Sequence, residues 1–395
     1  MINKEVKFCV KCVESNQRFL GSVTHEDKKD KFQRRTLFDE GQVCSACLYY
    51  DYKKQINWDE RERELIELLD QHRSRDGYYD VLVPGSGGKD SRFVAYVLKE
   101  KYKMNPLTCT WAPHMYTDVG WRNYIQWVDS GYDNYFHKPD GKIHRALTKL
   151  SFKNLLHPFQ PFAQGQVYFP LRVALEKKIK LVIYGDSQAE RGSGGNIHSY
   201  NNKFLNHSLY TYKNEEDLYY GGYSLKELEK LGIFKKDLIP YLPLKEEDFL
   251  GSNTKVLQLP YFINYNPQTN FYFAKEKTNF EVNPQGRSEG TYTKYASLDD
   301  KIDGLHHYTW YIKTGRGRAT EDAALEIRNE IITRNEGVAL VKKYDGEFPK
   351  LFFKDILEYL DMNEDEFNET IDSFRPEHLW KKVGSKWELK HAVWK

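Results

Sequence analysis

The chain of 395 residues is long enough for two or three domains. It is 40% apolar and 29% charged, and its 59 Lys and Arg nearly cancel 57 Asp and Glu to leave a net charge of +2, so neither nucleic acid nor an anionic membrane is indicated as the main partner. No segment approaches the roughly 20 apolar residues of a membrane span, and the opening MINKEVKFCVKC has no apolar signal core; a cytoplasmic protein without a membrane span is expected.

In chain order, residues 1–55 come first and hold four of the five cysteines. Cys9, Cys12, Cys44 and Cys47 form two C-x-x-C pairs separated by 31 polar and charged residues. Two such pairs suit four thiolates around one tetrahedral zinc ion, a structural staple for a module too small to build its own core. An iron–sulfur cluster and unrelated buried thiols are the alternatives; disulfides do not fit a reduced cytoplasm. A helix is expected over Trp58–His72, with Leu65, Ile66, Leu68 and Leu69 as its apolar stripe and Asn57 as its cap.

A βα pattern follows. Residues 79–84 read as a buried strand, 85–88 as a glycine-rich turn, and 91–101 as a helix with Phe93, Val94, Val97 and Leu98 facing inward. Further strands are expected at 106–111, 134–137 and 180–184, the last ending at Gly185 and Asp186. Helices are expected at 121–128, 142–156 and 166–178. Cys109 reads as a small core residue, not a nucleophile. The stretch 195–223, crowded with Tyr and Asn, reads as a polar aromatic insertion with an open role: lid, partner surface or sugar contact. Beyond it lie a helix at 224–231, a strand at 255–262, and helices at 320–334, 336–344 and 353–374.

Alternating strands and helices define the fold class: α/β, a mostly parallel sheet with helices on both faces, plus a small N-terminal zinc-binding module and a helical C-terminal region. The expected divisions are 1–55, 56–260 and 261–395. Such sheets bind ligands at the carboxyl ends of their strands, so 85–91, 111–118 and 185–191 should converge on one site.

The chemical signal is Ser86-Gly87-Gly88-Lys89-Asp90-Ser91, between a strand and a helix. Glycines let backbone N–H groups approach an anion, the helix N-terminus adds its dipole, the serines donate hydroxyls, and Lys89 supplies charge. The result is a phosphate cradle, although its spacing matches neither the G-x-x-x-x-G-K-[ST] loop nor G-x-G-x-x-G. Asp90 reads either as a Mg²⁺ ligand or as a helix cap, and Asp186 as a Mg²⁺ or substrate contact or another cap. Asp118, Arg122 and Asn123 follow a strand end and are candidate substrate contacts. Arg316 and Arg318, flanked by glycines, suit an anionic sugar. Solvated surface positions are the plain alternative for these arginines.

The loop resembles the pyrophosphate loop of the N-type ATP pyrophosphatase, or adenine nucleotide alpha-hydrolase-like (PP-loop), superfamily. Segments 38–41 with 43–47, 116–123, 297–304 (Ser297-Leu298-Asp299-Asp300-Lys301-Ile302-Asp303-Gly304), 315–320, 326–328 and 342–346 narrow this. Together they resemble the N-acetyl sugar amidotransferase family of pseudaminic or legionaminic acid and LPS O-antigen biosynthesis, except that residues 20–35 look inserted between the C-x-x-C pairs. The resemblance implies ATP, Mg²⁺ and structural Zn²⁺ as cofactors, and conversion of an acetamido group on an activated sugar to acetamidino with release of AMP and pyrophosphate. It implies Ser86, Gly87, Gly88, Lys89, Asp90, Ser91, Gly185 and Asp186 as the ATP site, with Lys89, Asp90 and Ser91 catalytic. No Cys–His–Glu set suggests a glutaminase, so ammonia is expected from a separate glutaminase subunit, with a cyclase-like channelling partner a further expectation. The rival readings are a PP-loop tRNA thiolation enzyme and a zinc-bearing scaffold protein.

Overall fold

The computed structural model describes residues 5–17, 36–185, 188–191 and 202–395. At its centre is a sheet of five parallel strands: β1 (Val81–Pro84), β2 (Pro106–Trp111), β3 (Asn134–His137), β4 (Leu181–Tyr184) and β5 (Lys255–Gln258), in the order β3-β2-β1-β4-β5. Every residue of β1 and β2 is buried, as expected where helices cover both faces. In register, Val81 lies beside Pro106 and Pro84 beside Cys109. The chain leaves β1 toward β2 on one side and returns to β4 on the other, so the direction of strand addition reverses between β1 and β4. A crevice opens there, at the carboxyl ends of both strands.

The α-helices of eight or more residues among the described residues are α1 (Ser45–Lys53), α2 (Trp58–His72), α3 (Lys89–Tyr96), α4 (Asp118–Asp129), α5 (Gly141–Leu155), α6 (Gln160–Glu176), α7 (Pro267–Thr278), α8 (Asp303–Thr314), α9 (Arg318–Arg328), α10 (Arg334–Tyr344), α11 (Phe353–Leu360) and α12 (Glu364–Ser373). Asn57 caps α2, accepting from the Glu60 amide. Elsewhere caps moved the ends. Helix α3 starts at Lys89, two residues early, because Gly88 is its cap, and it continues through a π-helical turn, Val97–Lys101. Helix α4 starts three residues early because the Thr117 hydroxyl accepts from the Gly120 amide. The fifth strand stops at Gln258, short of residue 262, since Pro260 has no N–H for a ladder. The expected helix over 353–374 is two helices, broken at Asp361 (φ 49°). The chain then forms a hairpin, β6 (Trp380–Val383) with β7 (Lys386–Leu389), which the sequence did not announce.

Helix α7 packs its Phe273 ring edge-on to Phe93 and Tyr96, both centroids at 5.1 Å, and so belongs to the sheet's core although it lies past residue 260. The cysteine segment likewise shares one apolar cluster with Ala323, Ala324 and Val341. Of the aromatic stretch, residues from 202 onward are described; there Tyr210 and Tyr220 are buried in the core, and the Tyr220 hydroxyl donates to the Tyr241 carbonyl. Cys109 is buried in β2, and burial pushes its thiol pKa up, consistent with an inert core residue. No helix among the described residues is long and apolar enough to cross a membrane.

Helix α6 lies directly on β2: a Cβ at Gly165 would come within 2.0 Å of the Trp111 ring. Gly165→Ala is therefore expected to destabilise the fold by about 1–3 kcal/mol, read as a lower urea midpoint. An unchanged midpoint would mean that this helix and strand separate freely.

Candidate active site

The SGGKDS loop turns at the carboxyl end of β1. Gly87 has φ +83°, and a Cβ there would lie 2.9 Å from the Asn123 carbonyl oxygen, so the turn needs glycine both for its backbone and for its fit against α4. Across the crevice, Gly185 at the end of β4 abuts α3; a Cβ would meet the Asp90 carbonyl oxygen at 2.9 Å. The loop is tied from below by Arg92. This guanidinium, 1% exposed, donates through Nε to the Gly87 carbonyl at 2.8 Å and through its two other nitrogens to the carbonyls of Thr278 and Asn123. Burial pushes its pKa down to about 10, so it stays charged near neutral pH.

The loop opens on a cavity of about 310 Å³. Its walls include Ser86, Gly88, Lys89, Asp90 and Ser91 from the loop, and Tyr184 and Gly185 from β4. The far wall comes from the C-terminal half: Phe280, Tyr295, Ser297, Asp299 and Arg318. Lys89 Nζ bonds both oxygens of Asp90 at 2.7 Å, and the Tyr265 hydroxyl donates to Asp90 Oδ1 at 2.9 Å. Asp90 is thus held by side chains and does not cap α3, which has no side-chain cap. Arg318 Nε donates to Asp322 Oδ1 at 3.1 Å, and its Nη1 lies 3.1 Å from His307 Nε2. Burial raises the Asp299 pKa, with a hydrogen bond from Ser86 opposing it. Burial also pushes Asp303 up to about 6, with Arg318 opposing.

The predicted residues are divided by this geometry. Ser86, Gly88, Lys89, Asp90, Ser91, Gly185, Asn123 and Arg318 line one cavity, whereas Gly87 turns the loop behind it. The Asn123 side chain, however, is committed to the Glu281 backbone, accepting from its N–H at 2.8 Å and donating to its carbonyl at 3.0 Å. Asp118 lines a neighbouring cavity of about 280 Å³ that shares Ser297 and Leu298 with the first. Arg122 does not line either cavity: it pairs with Glu281 at 2.9 Å on the surface, the solvated alternative. Arg316 is not at the cavity either. It is buried, and its Nε meets Glu14 Oε1 at 2.9 Å, because the cysteine segment packs over it. Asp186 lies outside the described residues. Arg92, Tyr265, Tyr295 and Asp299 were missed; only Asp299 carried a signal, its place in the quoted segment 297–304.

Cys9, Cys12, Cys44 and Cys47 are all buried, and their four sulfurs lie within 4.8 Å of one another. Cys9 and Cys47 Sγ are 3.8 Å apart, Cys12 and Cys44 Sγ 3.7 Å. Backbone N–H groups of Cys44 and Glu14 point at the sulfurs of Cys9 (3.3 Å) and Cys12 (3.4 Å), and Arg328 Nη1 is 3.8 Å from Cys12 Sγ. This is a donor set built for a cation.

Residues 289–393 match a family described as LPS biosynthesis protein WbpG-like, C-terminal domain. An uncharacterized protein of Methanocaldococcus jannaschii is 37% identical over 65 residues, which is 16% of this chain; the match spans 23% of that curated relative's length. Among solved structures, NMN synthetase from Francisella tularensis aligns over 71% of this chain and 94% of its own, at 13% identity and a TM-score of 0.32. The U34-tRNA thiolase NcsA from Methanococcus maripaludis, solved with its 4Fe-4S cluster, aligns over 87% and 90%, at 14% identity and a TM-score of 0.31. Neither superposition is close enough to bear on the site.

The raised carboxyl of Asp303 makes a pH prediction. A carboxyl that titrates near 6 when folded and near 3.8 when unfolded holds its proton more tightly in the folded state. Folding stability is therefore lost as pH rises between those values. Asp303→Asn removes this loss, so the variant should gain stability relative to the parent between pH 4 and pH 7 (about those limits). Urea titrations at both values check it; a pH-independent difference refutes the assignment.

Proposed function

We propose that the protein is an ATP-dependent amidotransferase that converts an acetamido group on an activated sugar to acetamidino, in surface-polysaccharide or nonulosonate biosynthesis. One observation carries this reading. The segment matching an LPS-biosynthesis domain supplies Tyr295, Ser297, Asp299 and Arg318 to the same cavity that the SGGKDS loop lines from the opposite side. A sugar-pathway segment and a pyrophosphate loop facing each other across about 310 Å³ suit a reaction between a sugar and ATP.

An amide carbonyl is a poor electrophile and its oxygen a poor leaving group. In the proposed reaction the acetamido oxygen attacks the α-phosphorus of ATP; the O–Pα bond forms, the bond from Pα to the bridging oxygen breaks, and pyrophosphate departs. The product is an O-adenylyl imidate. Ammonia then adds to the imidate carbon, the C–O bond breaks, and AMP leaves with the electron pair, giving the amidine. The protein's work is positioning and charge stabilisation. Ser86, Ser91 and the N-terminus of α3 hold the departing pyrophosphate, with Lys89 against its charge. Arg318, held by Asp322, faces the sugar or its phosphates. Asp90 and Asp299 are the hard oxygen donors that would hold Mg²⁺, which supplies further neutralisation of phosphate charge.

The cysteine site is read as structural zinc. A tetrahedral ion about 2.3 Å from four sulfurs needs sulfur–sulfur edges of about 3.8 Å, and the Cys9–Cys47 and Cys12–Cys44 edges of 3.8 and 3.7 Å fit. A multi-iron cluster would spread the ligands further. The thiolation alternative is disfavoured because no cysteine among the described residues lines the cavity. Ammonia is assigned to a separate glutaminase subunit.

The test is incubation with Mg-ATP, ammonium and a panel of nucleotide-activated acetamido sugars, followed by nucleotide and sugar mass analysis. AMP, pyrophosphate and a sugar in which oxygen has become NH are expected. ADP, or AMP with unchanged sugar, sinks the reading. Lys89→Ala and Ser91→Ala should each cut AMP formation about a hundredfold or more while leaving the thermal midpoint in place.

A further inference from the structure

The four-cysteine site is joined to the cavity by two lines of contact. The first runs along α1, which follows directly on Cys44, its N-cap, carries Cys47 and ends at Lys53. Lys53 is buried; its Nζ donates to the Tyr265 carbonyl at 2.6 Å and pairs with Glu190 at 2.8 Å. The hydroxyl of that same Tyr265 donates to Asp90, and Asp90 holds Lys89. The second line is α9. Its first residue, Arg318, lines the cavity. Its middle, Ala323 and Ala324, packs in the cysteine cluster. Its last residue, Arg328, lies with Nη1 3.8 Å from Cys12 Sγ and donates through Nη2 to the Glu190 carbonyl at 3.1 Å. Glu190 therefore joins the two lines, through its carboxylate to Lys53 and through its backbone to Arg328.

We propose that the cysteine-bound ion is thermodynamically coupled to anion binding in the cavity, with Lys53, Tyr265 and Arg328 as the positioning residues that transmit it. The physical case is charge and rigidity. Four thiolates around a divalent ion leave net negative charge, which the buried Arg328 guanidinium offsets at close range. Without the ion, the anchor of α1 and the electrostatic partner of Arg328 are both lost. Lys53 and α9 then lose the support that fixes Asp90, and with it Lys89, and Arg318. These are the two cations of the cavity wall among the described residues. By linkage, an anion that needs Lys89 and Arg318 in place must tighten metal binding by the factor by which the metal tightens anion binding.

This coupling rests on the pyrophosphate reading of the cavity, and the experiment separates the two. The full-length protein is loaded with Zn²⁺, and Mg-pyrophosphate binding is first measured by calorimetry. The zinc affinity is then measured by competition with a chromogenic chelator that ignores Mg²⁺, with and without saturating Mg-pyrophosphate. Pyrophosphate should tighten zinc binding about fivefold or more. Tyr265→Phe removes only the hydroxyl that reaches Asp90, keeping the ring and the carbonyl that Lys53 uses. It should retain zinc stoichiometry and thermal midpoint while losing most of the pyrophosphate effect, which also controls for direct chelation of zinc by pyrophosphate. Lys53→Met should weaken the effect in the same direction. Pyrophosphate that binds with no change in zinc affinity overturns the coupling alone. An effect undiminished in Tyr265→Phe overturns this route. No pyrophosphate binding overturns the coupling and the ATP reading together.

Discussion

The Arg92 guanidinium, buried beneath the SGGKDS loop, is the constraint on which the site depends. It bonds three carbonyls from separate stretches of chain: Gly87 in the loop, Asn123 in α4 and Thr278 at the end of α7. A buried cation must be fully hydrogen-bonded to be tolerable, so these three segments are held at fixed distances. That fixes the loop at the carboxyl end of β1, and it holds α7, and the chain beyond it, against α3. The segment that follows then places Tyr295, Ser297 and Asp299 opposite the loop. The cavity is a product of this tie as much as of the loop itself.

A second theme is the reuse of charge. Around the cavity the carboxylates are shared: Asp90 serves Lys89 and Tyr265, and Asp322 serves Arg318, Thr291 and Thr293. At low local dielectric such networks are rigid because every member loses heavily if one moves. Lys89 and Arg318 are therefore held in place at the cavity wall, and on the proposed reading this lowers the reorganisation that binding an anion or a transition state would otherwise require.

The parts legible in the sequence were those determined locally. Strands β1, β2 and β4 are short apolar runs with turn signals after them, and the glycines between β1 and α3 announce the turn that is found there. The two C-x-x-C pairs are equally self-contained, and the sulfurs do meet. What failed was set by distant partners. Arg316 and Arg318 look alike in sequence, each beside glycine, yet Glu14 buries the first while the second reaches the cavity. Arg92 reads as an ordinary helical arginine, and only the carbonyl of Thr278, 186 residues away, makes it central. The terminal hairpin carries too few apolar residues for a strand pattern; its Trp380 is fixed by a bond from its indole to the Ile312 carbonyl.

The contact of the cysteine segment with α9 and α10 has a consequence for how the molecule is made. Arg334 donates to the carbonyls of Cys9 and Cys12, 325 and 322 residues earlier, and Arg328 reaches Cys12 across 316. During synthesis the first cysteines leave the ribosome on the order of tens of seconds before these arginines exist. Any ion they capture in that interval sits in an open, uncompensated thiolate set and remains exchangeable. Only the last quarter of the chain closes over it, so the two ends of the polypeptide mature as one unit, and losing either leaves the other half-built.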